Sequence, residues 1–148
     1  MQIFAPAKIN LTFEVKGQRS DGFHEIESVT SFLDIGDGLE INLSECFDYK
    51  KGGQYAHHLP DDINEDLVIK AVRLFEDTVN IEASLSLRLV KNIPAGSGLG
   101  SGSSDAAAVL KALNTLYDTR LSISQLCDLG AELGSDVPVC VHGGTVMM

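Results

Sequence analysis

Between the apolar run ending at Val90 and the alanines starting at Ala106, the chain reads Pro94, Ala95, Gly96, Ser97, Gly98, Leu99, Gly100, Ser101, Gly102, Ser103, Ser104. Glycine stands at every second position from 96 to 102, and two hydroxyls follow. Such density at a strand-to-helix junction suits anion binding. A backbone without Cβ takes positive φ readily, so consecutive N–H groups converge on one anion beside the positive end of the next helix. A phosphate chain is the expected guest, and residues 94–104 are its candidate cradle. A Walker A loop is excluded, because no lysine lies between Lys91 and Lys111. A dinucleotide fingerprint is excluded too: after Gly96 and Gly98 the third glycine position holds Ser101, and after Gly98 and Gly100 it holds Ser103. A flexible linker would not carry Leu99 between an apolar strand and an Ala-rich helix.

The elements that must hold this loop can be read from periodicity. Leu85, Leu87 and Leu89 alternate with more polar neighbours and predict a strand running into Pro94. The composition of 106–117 predicts a helix after the loop. Leu67, Val68, Ala71, Val72 and Phe75 recur at helical spacing, with Asp66 as N-cap and an end near Val79. Ser122 with Gln125 forms a capping-box pattern for a further helix that Gly134 closes. Earlier, Ile9, Leu11, Phe13 and Val15 alternate with Lys8, Asn10, Thr12, Glu14 and Lys16, the period of a half-buried strand, so Lys8 and Asn10 share a face. A second strand over 26–32, a turn at Gly36-Asp37-Gly38 and a third strand over 39–43 complete a predicted β-meander. Residues 44–65 read as irregular chain with room for a short edge strand, and Val137-Pro138-Val139-Cys140-Val141 reads as a short final strand. Strands and helices mix without a regular β-α-β-α rhythm, which places the chain in the α+β class.

Composition narrows the function. A chain of 148 residues, 44% hydrophobic and 22% charged, fits one domain with one core. Its net charge of -10 and lack of any basic run argue against nucleic acid as a partner. No apolar run approaches the ~20 residues of a bilayer span, so no membrane partner is expected. Cys46, Cys127 and Cys140 are odd in number and far apart, which suits reduced thiols and a cytoplasmic location rather than a zinc site.

Four further stretches stand in order along the chain: Ala5-Pro6-Ala7-Lys8-Ile9-Asn10-Leu11, Arg19-Ser20-Asp21-Gly22-Phe23-His24, Asp34-Ile35-Gly36-Asp37 and Leu133-Gly134-Ser135-Asp136-Val137-Pro138. Together with 94–107 they resemble the GHMP kinases, and within them the branch acting on 4-diphosphocytidyl-2-C-methyl-D-erythritol. The resemblance implies an N-terminal GHMP domain similar to the second domain of ribosomal protein S5, spanning 1–148, with the family's C-terminal domain absent from the sequence. It implies ATP-dependent phosphorylation of a hydroxyl on that cytidine-diphosphate conjugate, in the non-mevalonate route to isoprenoid precursors, with Mg2+ accompanying ATP.

Phosphoryl transfer needs a carboxylate to orient or accept the proton of the attacking hydroxyl, and Asp136, between helix-ending Gly134 and Pro138, is the candidate. By resemblance Lys8 stands beside it, Asn10 binds substrate, Phe23 and His24 contact the cytosine, and Asp66 occupies a place where an Asn often faces the adenine. Phe23 stands where the family commonly has Tyr, and Ser97 and Ser101 replace glycines of some relatives. Two other functions stay open: another GHMP small-molecule kinase, or a non-catalytic nucleotide-binding fragment. A third, RNA binding by analogy with the ribosomal fold, conflicts with the acidic charge.

Overall fold

The computed structural model describes residues 1–12, 14–18 and 24–147. Leu85, Leu87 and Leu89 all point inward from one strand and are fully buried, each contributing roughly 1.5–3 kcal/mol by leaving water. They belong to β6 (Leu85–Val90), which lies between β4 (Val29–Leu43) and β5 (Asp48–Gly52) in a sheet ordered β1-β4-β6-β5. β1 is Gln2–Asn10, and β7 (Val146–Met147) pairs with the start of β4. A separate hairpin joins β2 (Glu14–Gln18) to β3 (His24–Glu27). Four α-helices, α1 (Leu67–Val79), α2 (Ser101–Leu116), α3 (Ile123–Leu133) and α4 (Val137–His142), and two short 3-10 turns at Ala56–His58 and Ile63–Glu65 complete the described elements. Val68, Val72 and Phe75 of α1 and Val109, Leu110 and Leu113 of α2 share one core with Ile41 and the β6 leucines. The α+β class holds. Among the described residues no helix is long and apolar enough to cross a membrane.

Only the first leg of the predicted meander forms: residues 8–10 pair with 30–32 and 14–15 with 26–27, but no turn follows at Gly36-Asp37-Gly38. β1 pairs antiparallel with β4, not with the next strand in sequence, and β4 runs unbroken through Gly36-Asp37-Gly38. Gly36 serves close packing instead of a turn: a Cβ there would collide with the Ala5 carbonyl. Continuity keeps Asp37 in phase with Leu39 and Ile41, all three buried.

The face of Lys8 also differs from expectation. The β1–β4 register shifts between Pro6 and Lys8, and such a bulge reverses the alternation of side chains. Ala5, Ala7 and Lys8 are therefore all buried, while Leu11 and Val15 are exposed. Ile9 is half-buried, and Phe13 lies outside the described residues.

The predicted strand over 137–141 is helix α4. Its β-branched residues favour a strand locally, but Val137, Val139, Cys140 and Val141 are all buried as a helix, and Pro138 is tolerated in a first turn. Gly130 of α3 allows the close approach: a Cβ there would lie 2.9 Å from Val137 Cγ1. The Ser122–Gln125 capping box forms with both reciprocal bonds, and β5 is the edge strand anticipated within 44–65.

Candidate functional site

The glycine loop leaves β6 and enters α2 one turn earlier than composition suggests, at Ser101. Gly96, Gly98 and Gly100 all have positive φ, at 74°, 80° and 61°. Gly100 is the N-cap of α2, and no side chain caps the helix. Ser103 and Ser104 lie inside the first turn, with Ser104 N–H bonded to the Gly100 carbonyl at 2.9 Å. The leading N–H groups of α2 are thus left for a guest at the positive helix end. They border an open hollow of about 330 Å³ lined by Ala95, Gly96, Ser97, Gly98, Gly100, Ser101, Gly102, Ser103, Leu67 and Asp136.

Three residues fix this loop. Lys8 N–H donates to the Leu99 carbonyl at 2.8 Å, tying the apex to β1. Asp37 Oδ1 accepts the N–H groups of Asn92 at 2.5 Å and Ile93 at 2.8 Å, tying the outgoing stem to β4. Lys91, only 1% exposed, donates from Nζ to Asp37, to Ser101 Oγ at 2.8 Å and to Asp105 Oδ2 at 2.6 Å, tying both stems together.

Lys8 and Asp136 meet at the rim of the hollow. Their Nζ and Oδ2 atoms are 2.9 Å apart, with side chains 5% and 32% exposed, respectively. Gly100 makes room for the lysine stem, because a Cβ there would lie 2.5 Å from Lys8 Cγ. Lys8 Nζ also reaches Asn10 Oδ1 at 3.4 Å, and Thr30 Oγ1 lies 3.0 Å from that same oxygen. The structure thus brings together Lys8, Asn10, Asp136 and the loop. A carboxylate held by a buried ammonium beside an array of N–H donors can receive a proton while an anion is held in place.

Asp66 is 2% exposed; Oδ1 accepts Val68 N–H at 3.0 Å and Oδ2 accepts the Tyr49 hydroxyl at 2.8 Å. It caps α1, as its position before an apolar helix suggests. Phe23 lies outside the described residues. His24 is placed by its backbone alone, opposite Gln18 in the hairpin.

The cluster of Lys91, Asp37 and Asp105 was not legible as a unit. Only its partners' flanking position to the loop, Lys91 before and Asp105 after, could have signalled it. Burial is the main reason that Asp105 is pushed up to about 7, and burial likewise raises the Cys140 thiol to about 12, leaving it inert near neutrality. Among the described residues no group of three His, Cys, Asp or Glu side chains is placed to hold a metal ion.

Residues 66–144 match the family described as GHMP kinases N terminal domain, more than half of the chain. The chain belongs to the GHMP kinases. In this GHMP domain the matched region runs from the α1 cap through the loop to α4. Two curated relatives, each named 4-diphosphocytidyl-2-C-methyl-D-erythritol kinase, come from Bacillus pumilus (43% identical over 143 residues) and Bacillus licheniformis (44% over 144). Each alignment covers 97% of this chain and 49% of the relative. A solved 4-(cytidine 5'-diphospho)-2C-methyl-D-erythritol kinase superposes with a TM-score of 0.83 at 32% identity, over 100% of this chain and 51% of that one. Homoserine kinase from Cytophaga hutchinsonii shares the GHMP fold at 23% identity, with a TM-score of 0.77 over 99% of this chain and 47% of its own. The chain spans about half the length of the curated relatives it matches.

Proposed function

We propose that this GHMP domain is the nucleotide-binding N-terminal part of a kinase that transfers the γ-phosphoryl group of ATP to a hydroxyl of 4-diphosphocytidyl-2-C-methyl-D-erythritol. The observation that carries this reading is the 2.9 Å Lys8–Asp136 pair on the rim of the glycine-loop hollow. The names of relatives at 43–44% identity support the substrate. The loop N–H groups hold the phosphates, and Asp136 accepts the proton as the substrate oxygen bonds to the γ-phosphorus and the bond to the departing ADP breaks. Lys8 orients the carboxylate through their 2.9 Å ion pair and offsets charge that develops on the transferring group. Asn10 faces the substrate, and Phe23 and His24 take the cytosine by stacking and hydrogen bonding.

The donor set does not fit a magnesium ion held by described carboxylates alone. Magnesium enters this reading as the counter-ion of the triphosphate. A cytoplasmic setting belongs to the same proposal, consistent with three free cysteines.

The test is ADP release from ATP and the cytidine conjugate, measured on the chain alone and with the remaining half of a curated relative supplied separately. Asp136→Asn is expected to abolish turnover while retaining binding of an ATP analogue. Near-native turnover in that variant removes Asp136 from its role. Turnover in either condition also eliminates the reading of a non-catalytic nucleotide-binding module.

A further inference from the structure

Directly beneath the glycine loop lies a set of buried charges that the transfer step does not use. Lys91 Nζ donates to Asp37 Oδ2, Ser101 Oγ and Asp105 Oδ2, so all three of its N–H bonds are directed inward. Asp37 accepts from the lysine on one oxygen and from two backbone N–H groups on the other. Asp105 differs: its Oδ1 is buried and has no hydrogen-bond partner. Two carboxylates therefore share one ammonium. With both ionised, the cluster carries one surplus negative charge, and Ser101 connects it to the hollow where a polyanion would sit.

We propose that Lys91 and Asp105 are positioning residues that couple nucleotide binding to proton uptake at Asp105. Lys91 clasps the two stems of the loop, and Asp105 becomes protonated as phosphates settle above it. This rests on the reading that the loop holds ATP. The physical cause is simple: an anion at the α2 N-terminus repels the surplus buried charge, and protonation removes it. By reciprocity the proton on Asp105 strengthens nucleotide binding as much as the nucleotide strengthens the proton's.

Asp105 is poised for this. Burial first, then the carboxylates of Asp37 and Asp66, raise it toward neutrality, while Lys91 opposes them. The groups facing it are Lys91 from the end of β6, Asp37 from β4, Asp66 at the α1 cap with Tyr49 from β5, and Cys140 from α4. On the β1 side Lys8 is engaged by Asp136. Asp105 is the one among the cluster's carboxylates with an oxygen left over for a proton.

The experiment is calorimetric titration of the chain with a non-hydrolysable ATP analogue at pH 6, 7 and 8, each in two buffers of different ionisation heat. Native protein is expected to take up a fraction of a proton beyond the analogue's own, and to lose affinity several-fold more between pH 6 and 8 than Asp105→Asn. The variant, permanently neutral there, is expected to show neither the extra uptake nor the extra slope. A merely structural role would weaken binding equally at every pH. Equal uptake and equal slopes in the two proteins overturn the inference. If Asp105→Asn does not fold, the native uptake alone decides, and its absence has the same force. Failure of the analogue to bind native protein at any pH instead overturns the reading of the loop.

Discussion

Replacing Gly100 by alanine strikes the loop and the proposed catalytic pair together. Gly100 has φ +61°, a conformation that costs an L-residue about 1–2 kcal/mol. The new Cβ would sit 2.5 Å from Lys8 Cγ and 2.7 Å from Lys8 Cε, against the roughly 3.5–4.0 Å of a relaxed carbon contact. The lysine stem must retreat by about 1 Å, which carries Nζ from its 2.9 Å contact with Asp136 toward the limit of hydrogen bonding. Strain and displacement together are expected to cost about 2–3 kcal/mol and to lower Tm on the order of 5–10 °C. Misplacement of a catalytic group by that distance is expected to reduce kcat about 100-fold. The internal control is Gly102→Ala: its Cβ meets nothing nearer than Leu67 Cδ2 at 3.9 Å, and a helical Gly→Ala exchange gains up to about 1 kcal/mol. Thermal denaturation of both variants, with ADP release in the turnover-competent protein, reads the result. A Gly100→Ala protein with native Tm and native kcat would refute the claim that this glycine seats Lys8.

Three other outcomes follow from the same geometry. Lys91→Met leaves two buried carboxylates without their ammonium and is expected to lower the unfolding free energy by about 3–5 kcal/mol, read from urea midpoints; a loss below about 1 kcal/mol would contradict the clasp. Asp105, at about 7 when folded against 3.8 when free, binds its proton more tightly in the folded state, so the stability linked to that proton is present at low pH and declines as pH rises through about 4 to 7. Asp105→Asn should flatten this fall by up to about 1.4 kcal/mol per pH unit, and identical pH profiles for the two proteins would count against it. Phe23→Ala and His24→Ala are expected to weaken cytidine-ligand binding in calorimetry while sparing an ATP analogue; equal loss of both ligands would reassign the substrate.

The sequence made the glycine loop and its flanking elements legible because short-range signals agree there: leucines at period two, alternating glycines, then alanines. The capping box at Ser122 and the cap at Asp66 were readable for the same reason. Long-range events were not. The bulge near Lys8 inverts a strand phase through pairing with β4, which local alternation does not encode. Gly36 looked like a turn because its need is the approach of Ala5, a residue 31 positions earlier. Val137–Val141 favoured a strand by residue type, and burial among α2 and α3 made it a helix. Lys91, Asp37 and Asp105 converge only when β4, β6 and α2 are in place, so their cluster had no sequence signature. Asp66 was legible as a cap, but the bond of its second oxygen to Tyr49 was not, because that partner lies on β5, 17 residues earlier.

A crystal structure of this chain with a non-hydrolysable ATP analogue and magnesium would test the central claim most directly. The phosphates are expected against the N–H groups of residues 96–103, with the terminal phosphate toward the Lys8–Asp136 pair. A triphosphate bound elsewhere, with those amides facing solvent, would contradict the account.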